Sequence, residues 1–175
     1  MQKKVIGFLS FAVAVLILVL LLKVTNWLPS VLQEGGIKRY ASIEEVKARL
    51  KTKDIYVPTY FPQSVQWPPS RILAQSRPYF ALVMEFSPDR SGAPGLMISQ
   101  VAGKAPIPEE KLRLIQVKER APYPFKGRNA LLEVGTCRND LPCSRVSWDD
   151  GTYRLTLTMN APPFELIRIA DSMTR

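Results

Sequence analysis

The chain of 175 residues contains no histidine and only two cysteines, Cys137 and Cys143. Histidine is the commonest general base and the commonest metal ligand in proteins, so its absence removes the most frequent routes to acid–base catalysis and to a metal site. Two cysteines alone cannot supply the four ligands of a structural zinc site. We therefore predict no catalytic residue, no metal and no cofactor, and we expect that the protein is not an enzyme.

Other motifs that carry chemistry are also missing. The sequence has no phosphate-binding glycine loop, and the loop SPDRSGAPG has too few carboxylates to bind calcium. Adjacent carboxylates occur at Asp149–Asp150, which reads as a hairpin turn, and at Glu109–Glu110, which reads as a solvated loop after two prolines. Neither pair predicts a catalytic site.

One long stretch lacks charge. Residues 5–22 contain no charged side chain and lie between Lys4 and Lys23. As a helix they would extend about 27 Å, close to the thickness of a bilayer's hydrocarbon core. A cleaved signal peptide is the alternative, but its apolar region is normally shorter and a small-residue cleavage site follows it. We predict a transmembrane anchor over residues 5–27, with Lys23 and Trp27 at the membrane interface.

The charges before this stretch predict its orientation. Residues 1–4 carry two lysines and the amino terminus, which favours a cytoplasmic tail. Residues 28–39 then form a tether, and residues 40–175 form an extracytoplasmic domain. The predicted localisation is the inner (cytoplasmic) membrane, single-pass, with the domain in the periplasm. The lipid bilayer and an integral membrane protein are the expected partners, and nucleic acid is not.

The predicted location determines the expected oxidation state of the two cysteines. Outside the cytoplasm thiols oxidise, so Cys137 and Cys143 are expected to form a disulfide that closes a small loop. Free thiols and a redox-active pair are the alternatives.

Helical signals occur at both ends of the predicted domain. Ser42 and Glu45 form a capping-box pattern before an amphipathic helix over about 43–52. A second helix is predicted over 162–173, with an apolar face formed by Leu166, Ile169, Ala170 and Met173. Between the helices, apolar residues alternate over segments 79–86, 96–103, 111–120, 127–135 and 143–159. The expected fold is α+β: an N-terminal transmembrane helix, then an antiparallel β-sheet with both helices packed on it.

The last of these segments predicts its own register. If Asp150–Gly151 is a two-residue turn, Trp148 faces Tyr153 and Val146 faces Leu155 in a hairpin. In segment 111–120 the apolar alternation slips by one residue, which we attribute to a β-bulge.

An aromatic and proline-rich segment, residues 54–70, precedes the strands. Its prolines exclude a long helix or a central strand. The segment is either an ordered strap that covers one end of the core or a loop that presents Tyr60, Phe61 and Trp67 to a partner.

The net charge is +9, and arginines are spread along the predicted strands. Together they form either a solvated polar face or a basic stripe that attracts anionic lipid headgroups or an acidic partner. These arginines are Arg71, Arg77, Arg113, Arg120, Arg145 and Arg154.

Three C-terminal segments, GRNALLEVG, VSWDDGTYRLTLTM and FELIRIADSM, resemble an uncharacterised bacterial extracytoplasmic module that is often membrane-anchored. YVPTYFPQSV resembles the opening of that module, with Gln63–Ser64 where glycine is usual. The resemblance implies an antiparallel sheet with helices on one side and no catalytic residues. We expect an accessory or structural subunit of a larger membrane complex; the alternative is an envelope binding module or sensor that holds a lipid or another apolar ligand.

Overall fold

The structure is a computed structural model that describes residues 13, 15–20, 23, 36–88 and 94–174. The chain divides into two compact units, residues 1–36 and residues 37–175. The second unit contains two α-helices, α1 (Ile43–Leu50) and α2 (Pro163–Asp171). Its strands are β1 (Lys38–Tyr40), β2 (Val57–Pro58), β3 (Arg71–Gln75), β4 (Ala81–Phe86), β5 (Leu96–Ala102), β6 (Gln116–Phe125), β7 (Arg128–Thr136), β8 (Pro142–Asp149), β9 (Tyr153–Met159) and β10 (Met173–Thr174).

The prediction of a transmembrane anchor over 5–27 is corrected by the structure. None of the helices formed by the described residues is long and apolar enough to cross a membrane. Residues 15–20 are helical and exposed. Trp27 and the 1–4 tail lie outside the described residues, and Lys23 is an exposed helical residue. The predicted single-pass localisation in the inner membrane is therefore also wrong.

The predicted fold class is wrong as well, because the second unit is mostly a large antiparallel β-sheet. Eight strands pair in the order β1-β3-β4-β5-β9-β8-β7-β6, and β2 pairs with β10 in a small second sheet. The helices are short, with eight and nine residues. Each is close to the position predicted for it, and α1 begins at the predicted cap, where the Ser42 hydroxyl accepts a hydrogen bond from the Glu45 N–H. The first strand starts at Lys38, inside the predicted tether.

The first face of the sheet carries the main core and both helices. Leu82, Met84 and Phe86 of β4 point to this face, as their alternation predicts. Leu166 and Ile169 of α2 are completely buried against it. Burial of this amphipathic face, rather than intrinsic helix propensity, stabilises so short a helix.

The second face carries a smaller core. Leu73, Val83 and Met97 from β3, β4 and β5 pack there with the half-cystines Cys137 and Cys143. The disulfide between the two cysteines is present, with a Cα–Cα distance of 5.5 Å, and this prediction is confirmed. The sheet is thus covered on both faces, and the residues that cover the second face belong to an irregular segment, residues 104–115.

The β8–β9 hairpin forms with a register two residues away from the predicted one. Trp148 pairs with Leu155 and Val146 with Leu157, so the turn is Gly151–Thr152. The Asp150 carboxylate accepts hydrogen bonds from the backbone N–H groups of Thr152 and Tyr153, which places Asp150 before the turn rather than within it. A shift by two preserves the face of each side chain, so Trp148 and Leu155 still point to the main core.

The strand predicted over 111–120 begins later and extends further than expected. Strand β6 starts at Gln116, and a bulge lies between Val117 and Glu119. The apolar slip has a different cause, since Leu112 and Leu114 leave the sheet pattern and insert into the second core.

Candidate interaction surface

Tyr60, Phe61 and Trp67, the predicted partner-binding residues, lie in the connection between β2 and β3 on the first face of the sheet. Tyr60 and Phe61 are half-buried against the main core, whereas 50% of Trp67 is exposed. The segment therefore has features of both predicted alternatives, the strap and the presenting loop. It covers one end of the core, and it exposes the indole ring of Trp67 to solvent.

Backbone contacts fix this segment to the end of α2. The Ser172 carbonyl accepts hydrogen bonds from the backbone N–H and the hydroxyl of Thr59, at 3.3 and 3.0 Å. The Ser172 hydroxyl accepts one from the Tyr60 N–H at 3.1 Å. Pairing of β2 with β10 continues the same junction. The aromatic residues are consequently held on an ordered support.

Phe61 and Trp67 form an aromatic cluster with Phe86. Their ring centres are 5.6 Å apart, and the Phe61 ring lies 5.3 Å from the ring of Phe86, which is buried in β4. These distances are in the favourable range for tilted aromatic pairs. Trp67 is thus anchored through Phe61 and Phe86 to the end of β4, an internal strand of the sheet.

Tyr60 forms a second group of contacts, with residues of α2. Its ring lies 4.2 Å from the guanidinium carbon of Arg168, and the same guanidinium lies 5.9 Å from the ring of Phe164. The Tyr60 hydroxyl donates a 2.9 Å hydrogen bond to Glu165. This bond raises the pKa of the Tyr60 phenol, because the carboxylate accepts from the protonated form; partial burial adds to the effect.

Two groups of contacts, Trp67 with Phe61 and Tyr60 with Arg168 and Phe164, are joined by the adjacent positions of Tyr60 and Phe61 in the chain. We call these five residues the aromatic surface: Tyr60, Phe61, Trp67, Phe164 and Arg168. Sequence reasoning missed Phe164 and Arg168. A signal was present, since both lie away from the apolar face of α2 and four residues apart, which makes them neighbours on the opposite side. Phe164 is 69% exposed, an unusual position for a phenylalanine in a helix whose other face supplies the core.

The arginines predicted to form a basic stripe are largely neutralised. Arg71 pairs with Glu85 and Glu109, Arg120 with Glu133, and Arg154 with Asp149. Arg145 donates a 2.7 Å bond to Glu110 and lies 3.9 Å from Glu133. Glu109 is therefore paired although its side chain is exposed, and Glu110 is paired and mostly buried. The ion pairs fasten the 104–115 segment to the sheet.

A cavity of about 900 Å³ lies between this segment and the second face of β7, β8 and β9. Its floor and walls carry both signs of charge, from Arg145, Arg154, Glu110, Glu133 and Asp149. These charges pair with one another: Arg145 with Glu110 and Glu133, and Arg154 with Asp149. In the part of the chain that the structure describes, no group of three or more Cys, Asp or Glu residues is placed to hold a metal ion.

The aromatic surface is suited to binding rather than to reaction. Tryptophan, tyrosine and arginine are the residue types that most often dominate the binding energy of protein interfaces. Comparison with protein-family models, with curated proteins and with solved structures finds no match to the chain. The resemblance of the C-terminal segments to an extracytoplasmic module stays a prediction, as does the expectation that the protein is not an enzyme.

Proposed function

We propose that the folded unit is a protein-interaction module, an accessory or structural subunit that binds a partner protein through the aromatic surface. The exposure of Trp67 and Phe164, each on an ordered support, is the observation that carries the proposal. An aromatic ring held in place by buried neighbours loses little conformational freedom when it is covered, so its burial contributes fully to affinity.

The surface has the composition of an interface centre. The Trp67 and Phe164 rings are exposed, Tyr60 and Phe61 are half-buried, and the cation of Arg168 lies over the Tyr60 ring. A stable interface buries about 800 Å² on each partner, so further residues around this centre would form a polar rim. The partner should present an apolar patch that these rings can insert against.

The proposal is tested by affinity purification of the natural protein from its own cells with a double variant, Trp67→Ala with Phe164→Ala. We expect the wild type to recover a partner protein in stoichiometric amount. Recovery of that partner by the variant should be lower by about tenfold or more, because central aromatic residues each contribute about 2 kcal/mol or more. Both side chains are exposed, so thermal unfolding should confirm that the variant remains folded.

Arg77→Ala is the control, since Arg77 is also exposed and does not belong to the aromatic surface. This variant should recover the partner at the wild-type level. Equal recovery by the double variant, or a wild-type protein that purifies without any stoichiometric partner, would overturn the proposal.

A further inference from the structure

A cleft of about 420 Å³ lies between the 104–115 segment and the disulfide loop. Its lining side chains, which define the basic cleft, are Glu110, Lys111, Arg113, Leu114, Ile115 and Arg138. The aromatic surface shares no residue with this cleft, so the inference drawn from it is independent of the proposed function.

The basic cleft carries an excess of positive charge. Glu110 is neutralised by Arg145 at 2.7 Å, and Lys111 pairs with Glu85 at 3.4 Å. Arg113 and Arg138 are exposed, and neither forms an ion pair with any residue that the structure describes. Two guanidinium groups therefore remain available to an external anion.

Exposed aliphatic side chains lie beside the arginines. Ile115 is 65% exposed, Val117 41% and Leu141 48%. The Ile115 N–H donates to the Thr136 carbonyl and the Cys137 N–H donates to the Leu141 carbonyl, so both residues border the same end of β7. The disulfide holds this end in place. The result is an apolar corner next to a doubly cationic cleft.

The neighbouring edge strand limits how a partner can bind there. Strand β6 is the outermost strand of the sheet, but its Pro122 and Pro124 have no N–H group to donate, and its pairing is interrupted at Lys118. Prolines, bulges and lysines protect sheet edges from strand addition. Pro122 and Pro124 protect the part of β6 near its turn with β7, and the bulge at Lys118 lies next to the corner. We therefore expect recognition at this corner to come from side chains more than from backbone pairing.

We propose that the basic cleft binds an acidic and aliphatic segment of a partner protein. Its carboxylates would form bidentate bonds with Arg113 and Arg138, a geometry for which guanidinium is suited. The aliphatic side chains of the partner segment cover Ile115, Val117 and Leu141. The net charge of the chain, +9, accelerates the approach of such a segment.

A defined probe tests this inference: a capped hexapeptide of alternating glutamate and leucine, added to the ¹⁵N-labelled protein. We expect shifts of the backbone amide signals of Arg113, Ile115, Arg138 and Leu141, and weaker binding as salt concentration rises. The double variant Arg113→Gln with Arg138→Gln should lower the affinity by about tenfold or more, which corresponds to one strong charge-assisted contact.

Arg77→Gln provides the matched control, because Arg77 is exposed and also has no ion pair among the described residues, but does not line the cleft. It removes one positive charge, as each substitution of the double variant does, and should leave the affinity unchanged. Equal binding of a lysine–leucine peptide, shifts confined to other regions, or no binding at all would overturn the inference. Acetate or phosphate that gives the same shifts at the same concentration would also overturn it, because the cleft would then be a small-anion site without a protein segment.

Discussion

The phenolic hydroxyl of Tyr60 donates a 2.9 Å hydrogen bond to Glu165, and this bond joins the segment after β2 to the first turn of α2. Arg168 lies over the same ring, so one tyrosine contacts both an acidic and a basic side chain of one helix. These two contacts fix the position of the Tyr60 ring on α2. The hydrogen bond to Glu165 can be followed through the titration of the Tyr60 hydroxyl.

The first prediction concerns that titration. The bond to Glu165 raises the pKa of Tyr60, so one of the six tyrosines should ionise later than the unfolded value near pH 10. Because the folded pKa is raised, the stabilisation is fully present below about pH 10 and is lost as pH rises through the folded pKa. Absorbance near the tyrosinate band, recorded during a pH titration, measures this component.

The matched variants for this titration are Tyr60→Phe, Tyr40→Phe and Glu165→Gln. Tyr60→Phe should remove the late component and Tyr40→Phe should leave it in place. Glu165→Gln should move the component to lower pH. An unchanged late component in Tyr60→Phe would mean that another tyrosine is responsible.

The second prediction concerns the ion pairs that fasten the 104–115 segment. Arg145→Met removes the cation between Glu110 and Glu133, both of which are mostly buried. The free energy of unfolding should fall by about 2 kcal/mol, because a buried carboxylate loses a charged hydrogen-bond partner. Urea unfolding measures the loss.

Arg154→Met is the control for this network, since its partner Asp149 is largely exposed. Its effect should stay below about 1 kcal/mol, as for other exposed ion pairs. Losses of equal size in the two variants would show that burial of the Arg145 network does not contribute.

The third prediction concerns Gly135, where β6 and β7 approach each other closely. A Cβ atom at this position would overlap the Gln116 carbonyl oxygen and would lie 3.1 Å from the Val117 Cα. Both are backbone atoms, so Gly135→Ala must displace the start of β6 and should destabilise the fold by about 1–3 kcal/mol. At Gly95 the nearest atom would be 3.5 Å away, and Gly95→Ala should change stability by less than about 0.5 kcal/mol. Thermal and urea unfolding of the two variants will compare them directly, and similar stabilities would contradict the close approach.

The fourth prediction concerns the protection of the β6 edge. Phe125 and Arg128 flank the two-residue turn Lys126–Gly127 and form a hydrogen-bonded pair. Hydrogen-bonded and non-hydrogen-bonded pairs alternate along an antiparallel ladder, so Pro124 and Pro122 occupy non-hydrogen-bonded positions. Their backbone nitrogens therefore point away from β7. Replacing both prolines by valine would restore two outward donors on an exposed strand and should cause concentration-dependent association. Light scattering after size-exclusion chromatography measures it.

Pro106→Val, which changes a proline outside the strands, should remain as monodisperse as the wild type. A double valine variant of β6 that stays monodisperse at high concentration would contradict the protective role of the prolines.

Much of the local structure followed from the sequence because short-range chemistry decides it. The Ser42 cap, the apolar face of α2 and the alternation in β4 were all readable, since a helix or strand that has one buried face repeats with a fixed period. The hairpin shows the limit of this reasoning. Its faces were predicted correctly, but its register was not, because the hydrogen bonds of the Asp150 side chain moved the turn by one residue.

The candidate sites depended on contacts that no local pattern reveals. Tyr60 meets Arg168 across more than a hundred residues, and Glu110 meets Arg145 across 35. Charges that the sequence predicts to be exposed are therefore paired. The arginines without an ion pair among the described residues, such as Arg113, could be recognised only after the pairs were known. The anchor over 5–27 was inferred from apolarity and length alone, and the described residues hold no helix that meets both requirements.

The sequence by itself determined which two cysteines can pair, the absence of histidine and the faces of β4 and of the β8–β9 hairpin, because composition and period are local properties of the chain. Only the tertiary structure decided which aromatic rings remain exposed and which charges stay uncompensated. Burial and ion pairing depend on what the fold brings alongside a residue, and in this sheet those neighbours are distant in the chain: Phe86 for Phe61, α2 for Tyr60 and Glu85 for Lys111.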